Sequence, residues 1–234
     1  AVDINQAALE ETTLLAGSLK EKLSTHTVNI TDRAAVEALP QAVIAAHGAV
    51  DGLVNNAGII QQFVKFLDLP YAEIDRVVDV NFYGTLYMTK TFLPHLVKRP
   101  EAYLANVSSM GGYLPVPGQT IYGAAKAAIK LFTEGLYSEL SNTNVHVMNV
   151  FPGAIATNIA SNSGVKTPSV SSDSQPSMKT TPVGAAGAMI IDAIEKNKFS
   201  VYVGNDAKLM NFLYRLAPKW AGGFINKQMG SLLK

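Results

Sequence analysis

Along the 234-residue chain, stretches with apolar positions at helical spacing alternate with short continuous apolar runs. The first pattern predicts amphipathic helices, the second strands buried in a sheet. Helices are predicted over 5–23, with Asn5 as N-cap, and over 31–48, capped by Thr31, kinked at Pro40 and stopped by Gly48. Residues 71–98 are helical in character with Asn81 in their middle, "IYGAAKAAIKLF" (121–132) forms another helix, and a further one covers about 182–197. Strands are predicted at 25–30, at 51–58 running into a tight turn, and at 102–109, 144–150 and 199–204. This alternation predicts an α/β fold, a parallel sheet covered by helices.

Two segments stand outside the alternation. Residues 162–182 are rich in Ser, Thr and Pro and too long for an ordinary connection, which predicts a mobile functional loop, a candidate lid, or a disordered stretch. Residues 206–233 read as two amphipathic segments broken around Pro218 and the Gly222–Gly223 pair. Leu209, Met210, Phe212, Leu213 and Leu216 recur at helical spacing, Trp220, Phe224, Ile225 and Met229 continue the apolar load, and Lys208, Arg215, Lys219 and Lys227 add positive charge. Amphipathic helices usually bury their apolar face within protein. The tail is therefore expected to pack on its own domain or a neighbouring subunit, with an anionic membrane surface as the alternative.

Composition narrows the classes. The 48% hydrophobic content supports a sizeable core, and 16% charged residues argue against dominant disorder. Net charge is +1 with the 19 Lys and Arg scattered, which argues against nucleic acid as a partner. The absence of cysteine excludes disulfides, thiolate catalysis and Cys-based metal sites. His26, His47, His95 and His146 have no ligand or triad spacing, so no metal site is expected. No spanning helix and no signal-peptide pattern is visible, and a soluble, cytoplasmic protein is the expectation.

Candidate chemistry centres on Tyr122 and Lys126, which four-residue spacing places on one helical face. Chance is a serious competitor in a chain with this many Tyr and Lys, so the company of the pair decides. Asn55-Asn56-Ala57-Gly58 follows a strand, Asn81 interrupts a helix, Ser109 ends a strand thirteen residues before Tyr122, and Pro152-Gly153 closes another strand. Each lies where open α/β sheets bind ligands, outside the carboxyl ends of the strands. In this order and spacing the chain resembles the short-chain dehydrogenase/reductase family over nearly its whole length up to about residue 204.

The resemblance implies a Rossmann-like doubly wound parallel sheet with helices on both faces. It implies that residues 1–204 form the dinucleotide-binding and catalytic domain, with 205–234 as its C-terminal helical extension. It also implies a homodimer or homotetramer. Tyr122 would be the general acid/base, with Lys126 lowering its pKa and binding the nicotinamide ribose. Ser109 would hold the substrate oxygen, and Asn81 would fix a water that relays protons from Lys126. Cofactor contacts would come from Asp3, Asn29, Ile30, Asn55, Asn56, Ala57, Gly58, Pro152, Gly153 and Thr157, besides Tyr122 and Lys126. Asp3 matches the acid that bonds a ribose 2′-hydroxyl and repels a 2′-phosphate; no Arg follows it, which favours NAD over NADP. Asn29 stands where the family commonly has Asp. The family's glycine-rich phosphate loop is not found, and the spacing predicts that a strand, this loop and a helix precede residue 1.

The expected activity interconverts a secondary alcohol and a ketone. Met110, Tyr113, Leu114, Val116 and Pro117 follow Ser109 and point to a hydrophobic substrate. The alternatives are a 3-oxoacyl-thioester reductase and a non-catalytic nucleotide-binding scaffold protein that keeps the fold.

Overall fold

A computed structural model describes residues 1–165, 180–230 and 233. The predicted loop at 162–182 therefore lies mostly outside the described residues, and only its two ends are seen.

The chain opens with β1 (Val2–Asp3) and α1 (Gln6–Leu15), whose first N–H groups at Ala7 and Ala8 are capped by the Asn5 side chain. The expected helix to residue 23 ends early and tightens into 3₁₀ turns over Gly17–Lys22. The strand expected at 25–30 shrinks to β2 (His26–Thr27), because Asn29 Oδ1 accepts from both the N–H and the hydroxyl of Thr31 and bends the chain away. Helix α2 (Arg33–His47) is capped by Asp32 rather than Thr31: the carboxylate accepts from Ala34 and Ala35 N–H while Thr31 is held by Asn29. It runs on through buried Pro40 and stops at Gly48, whose φ of 79° suits glycine.

Strand β3 (Gly52–Asn55) precedes α3 (Tyr71–Val78), a π-helical turn over Asp79–Gly84, and α4 (Thr85–Leu96). Then follow β4 (Ala102–Val107), α5 (Thr120–Glu139), β5 (Val145–Pro152), the short α6 (Ile159–Asn162), α7 (Val183–Glu195) and β6 (Ser200–Val203). The tail forms α8 (Asn205–Leu216) and α9 (Pro218–Met229). The break falls at Ala217, beside Pro218 as expected, while α9 runs on through the Gly222–Gly223 pair, which the sequence reading includes in the break.

Strands β3-β4-β5-β6 form one parallel sheet, with Asn55, Asn106 and Asn149 in register across three of them. Strands β1 and β2 pair in parallel as a separate two-stranded sheet, and no ladder joins the two sheets among the described residues. Side-chain alternation gives the larger sheet two apolar faces. Leu53, Leu104, Val145 and Val147 meet α2, α4 and α5 through Leu39, Phe92, Leu96 and Leu136. Ala105, Val107, Met148 and Val150 meet α7 through Ala186 and Ala193. Helices thus cover both faces, as a doubly wound sheet requires. A third cluster joins Met110 and Leu114 to Met210, Ala221 and Ile225 of α8 and α9.

Candidate active site

The carboxyl ends of β3 and β4 meet the first turns of α5, and each side chain there is placed by identifiable contacts. Ser109 leaves β4 in an extended conformation, and its Oγ accepts from Gly111 N–H at 3.0 Å, starting a 3₁₀ turn over Met110–Gly112. That turn lies directly on α5. Ser108 Oγ donates to Lys126 O at 2.7 Å, and a Cβ on Gly112 would stand 2.9 Å from the same carbonyl. Only a residue without a side chain permits this approach. Ser109 is thereby held against the face of α5 that carries Tyr122 and Lys126.

Lys126 is buried, and its Nζ donates to Val107 O at 2.8 Å. Burial disfavours the charged ammonium and lowers its pKa to about 8. Burial pushes the Tyr122 phenol above its ordinary value, and a hydrogen bond with Ser109 pulls the other way without reversing the direction. The sequence leads one to expect Lys126 to bring the phenol down. In the free protein it does not, because Nζ is directed onto Val107 O and lies 6.0 Å from the Tyr122 ring centroid.

Asn81 is fully buried in the π-helical turn, a deformation that recurs at functional sites. Its Oδ1 accepts from Ile59 N at 2.9 Å and its Nδ2 donates to Ile59 O at 2.8 Å. The side chain expected to hold a water is therefore committed to the loop after Gly58. Its backbone carbonyl accepts from Thr85 Oγ1 at 3.1 Å. Gly58 sits in the same cluster: a Cβ there would lie 2.9 Å from Asn81 Oδ1 and 3.0 Å from Lys126 Nζ.

The loop beyond Gly58 is tied down residue by residue. Ile60 N donates to Ser163 Oγ at 3.0 Å, and Gln62 Nε2 donates to Gly164 O at 3.1 Å. Gln61, which the sequence analysis passes over, is fully buried. Its Oε1 accepts from Ile121 N at 2.8 Å and Tyr122 N at 3.1 Å, and its backbone carbonyl accepts from Gln119 Nε2. Gln119 occupies the N-cap position of α5 but its side chain does not cap. Gln61 caps the helix instead, from about sixty positions earlier, and no local sequence signal announces such a cap. Gln61→Leu should orphan these two N–H groups and destabilise the protein by about 1–3 kcal/mol. Chemical denaturation checks this, and a loss under about 0.5 kcal/mol would show that the cap carries no weight.

The other residues singled out in the sequence divide. Asn56 and Ala57 are exposed at the carboxyl end of β3, and Thr157 is exposed after β5. The Asn55 side chain points away from them: its Nδ2 donates to Thr89 Oγ1 and to Asn106 Oδ1, and Asn106 in turn donates to Thr133 Oγ1. This buried chain fastens α4 and α5 to the sheet and spends the Asn55 amide nitrogen. Ile30 packs in the core beside Gly84, leaving a ligand its backbone alone. Asp3 is exposed, with Oδ1 accepting from Asn5 N at 2.8 Å and Oδ2 left over. Asn29 is exposed, and its Oδ1 accepts from both the N–H and the hydroxyl of Thr31, leaving its Nδ2 to donate. Pro152 ends β5 and Gly153 follows it, and Asp206 locks this turn by accepting from Ala154 N at 2.6 Å, with its carboxylate where a Gly153 Cβ would stand.

The apolar residues after Ser109 also divide. Met110 and Leu114 are buried under α8 and α9, and the Tyr113 hydroxyl donates to Ala207 O. They are core there rather than open substrate lining; Val116 and Pro117 remain half-buried.

A protein-family model described as short chain dehydrogenase matches residues 1–167. The chain is 32% identical over 222 residues to SadH of Mycobacterium tuberculosis, spanning 92% of this chain and 79% of that one. It superposes on a short-chain dehydrogenase/reductase of Burkholderia phymatum in complex with NAD with a TM-score of 0.78 and 22% identity, covering 92% of this chain and 84% of that one. A short-chain dehydrogenase of Burkholderia cenocepacia in complex with NADP gives 0.74 and 22%, covering 89% and 81%. The chain belongs to the short-chain dehydrogenase/reductase family, a family of oxidoreductases on a Rossmann-like fold.

Proposed function

We propose that the protein interconverts a secondary alcohol and a ketone on a hydrophobic substrate, using a nicotinamide dinucleotide, with residues 1–204 as the catalytic unit and 205–234 as its extension. The observation that carries this reading is the meeting of Ser109, Tyr122 and Lys126 beside Gly58 and Asn81, through contacts reaching from β3, β4 and α5.

The residues fit the cofactor. Lys126 has three N–H donors and uses one on Val107 O, leaving donors for ribose hydroxyls. Asn56, Ala57 and Thr157 present exposed positions along the strand ends, and Asp3 keeps one carboxylate oxygen for a ribose hydroxyl. When bound, the nicotinamide supplies or accepts the hydride. Ser109 then holds the substrate oxygen by hydrogen bond and Tyr122 exchanges the proton at that oxygen. A phenol held above its ordinary pKa is protonated at neutral pH, so Tyr122 is set to donate, the role needed for ketone reduction.

The test follows reduced and oxidised nicotinamide with ketones and secondary alcohols of graded size. Turnover that increases with apolar bulk is expected; cofactor binding with no turnover of any member would favour a scaffold protein. For the cofactor, NAD is expected over NADP, and Asp3→Ala should narrow that preference roughly tenfold or more by removing the charge that repels a 2′-phosphate. Comparison of kcat/KM with each cofactor decides, and a wild-type preference for NADP would refute the role of Asp3.

A further inference from the structure

The tail has two apolar faces where one suffices. Met210, Ala221 and Ile225, with Leu213, Tyr214 and Met229 beside them, close over Met110 and Leu114. This satisfies the expectation that the tail packs on its own chain. A helix with no further task carries polar residues on its outer side. Here Leu209, Phe212 and Leu216 are 57%, 60% and 69% exposed, and Trp220 and Phe224 are 56% and 40% exposed. The two rings stack with centroids 5.6 Å apart, so they form one continuous apolar plate. Five large apolar side chains on successive helices are a patch, and patches of this kind mark contact surfaces.

Charge identifies what the patch meets. Lys208, Arg215, Lys219 and Lys227 are all exposed on the same two helices. The one acid among residues 205–230, Asp206, is turned inward onto the Ala154 N–H. The exposed charges that these two helices carry are therefore all cationic. A second copy docking by this face would bring these cations together, since a two-fold contact pairs a surface with itself. We propose that α8 and α9 seat the protein on an anionic lipid surface, with the apolar plate entering the headgroup boundary and the cations against lipid phosphates. Each helix has 12 residues, far short of a span, so the segment lies on the membrane. The inference stands apart from the catalytic reading, because none of these residues belongs to the active site.

Trp220 is the single tryptophan of the chain, so its fluorescence reports this face alone. Titration with phosphatidylglycerol vesicles should shift the emission to the blue and protect the ring from a soluble quencher. Phosphatidylcholine vesicles should have little effect, and added salt should weaken the response. Lys219→Gln with Lys227→Gln should lower vesicle affinity roughly thirtyfold, and Leu216→Asp should abolish the shift while the circular dichroism stays native. No shift on anionic vesicles overturns the proposal. So does an equal response to both lipids, or one that salt leaves unchanged. A blue shift that appears without lipid as protein concentration rises assigns the face to a second copy and overturns it equally.

Discussion

Replacing Tyr122 by Phe is expected to lower turnover by about 10²–10⁴-fold and leave cofactor affinity intact. The substitution removes only the hydroxyl. The ring keeps its place on α5, since the helix start is fixed through backbone bonds to Gln61 rather than through the phenol. Ser109 Oγ keeps its bond from Gly111 N–H, so its position survives as well. Single-turnover hydride transfer, measured beside cofactor binding, separates the two effects. A variant keeping more than about a tenth of wild-type turnover would remove Tyr122 from the proton transfer.

Lys126→Ala is expected to lower both cofactor affinity and rate. Loss of charge-assisted bonds to ribose hydroxyls amounts to roughly ten- to hundredfold in affinity. The shift of Lys126 to about pH 8 adds a signature. Below that pH the side chain is an ammonium and binds with full strength. Above it the amine prevails, so wild-type cofactor affinity should decline as pH rises through about 8, and the alanine variant should lack this decline. Stability moves in the opposite direction. The unfolded chain holds the Lys126 proton up to the ordinary lysine pKa of 10.5, so between about 8 and 10.5 it binds more protons than the folded state. The free protein should gain stability with rising pH in that window, and the variant should not. Identical pH profiles for wild type and variant, in affinity and stability alike, would dismiss the buried cation.

Much of this site was legible in the sequence because its chemistry follows local periodicity. Tyr122 and Lys126 share a helical face by spacing, and Asn5 caps α1 by the ordinary side-chain rule. The two faces of the sheet follow from alternation along β4 and β5. What escaped depends on contacts between distant positions or on competition between neighbours. Thr31 and Asp32 both qualify as caps by residue type, and only the prior claim of Asn29 on Thr31 decides for Asp32. The use made of the Asn55 amide nitrogen depends on its register with Asn106, which turns it into the interior. The separation of β1 and β2 from the larger sheet is likewise a matter of pairing, which hydrophobic pattern does not encode. Gln61 and Asp206 look like ordinary polar residues, yet each holds a backbone turn more than fifty positions away.

The bond from Ser108 to the Lys126 carbonyl, with Gly112 pressed on that same carbonyl, bolts the end of β4 to the second turn of α5. The flanking segments hang on either side of this bolt. One is the loop from Ile59 to Gln62; the other, from Tyr113 to Gly118, lies partly under the tail helices. Such a layout uncouples two kinds of change. Exchanging the half-buried Val116 and Pro117 of the second segment is expected to reshape what enters while Ser109 and Tyr122 stay put, whereas the first segment carries Gln61, which fixes the helix start at Tyr122. In a directed-evolution library the same bolt marks the positions to leave untouched.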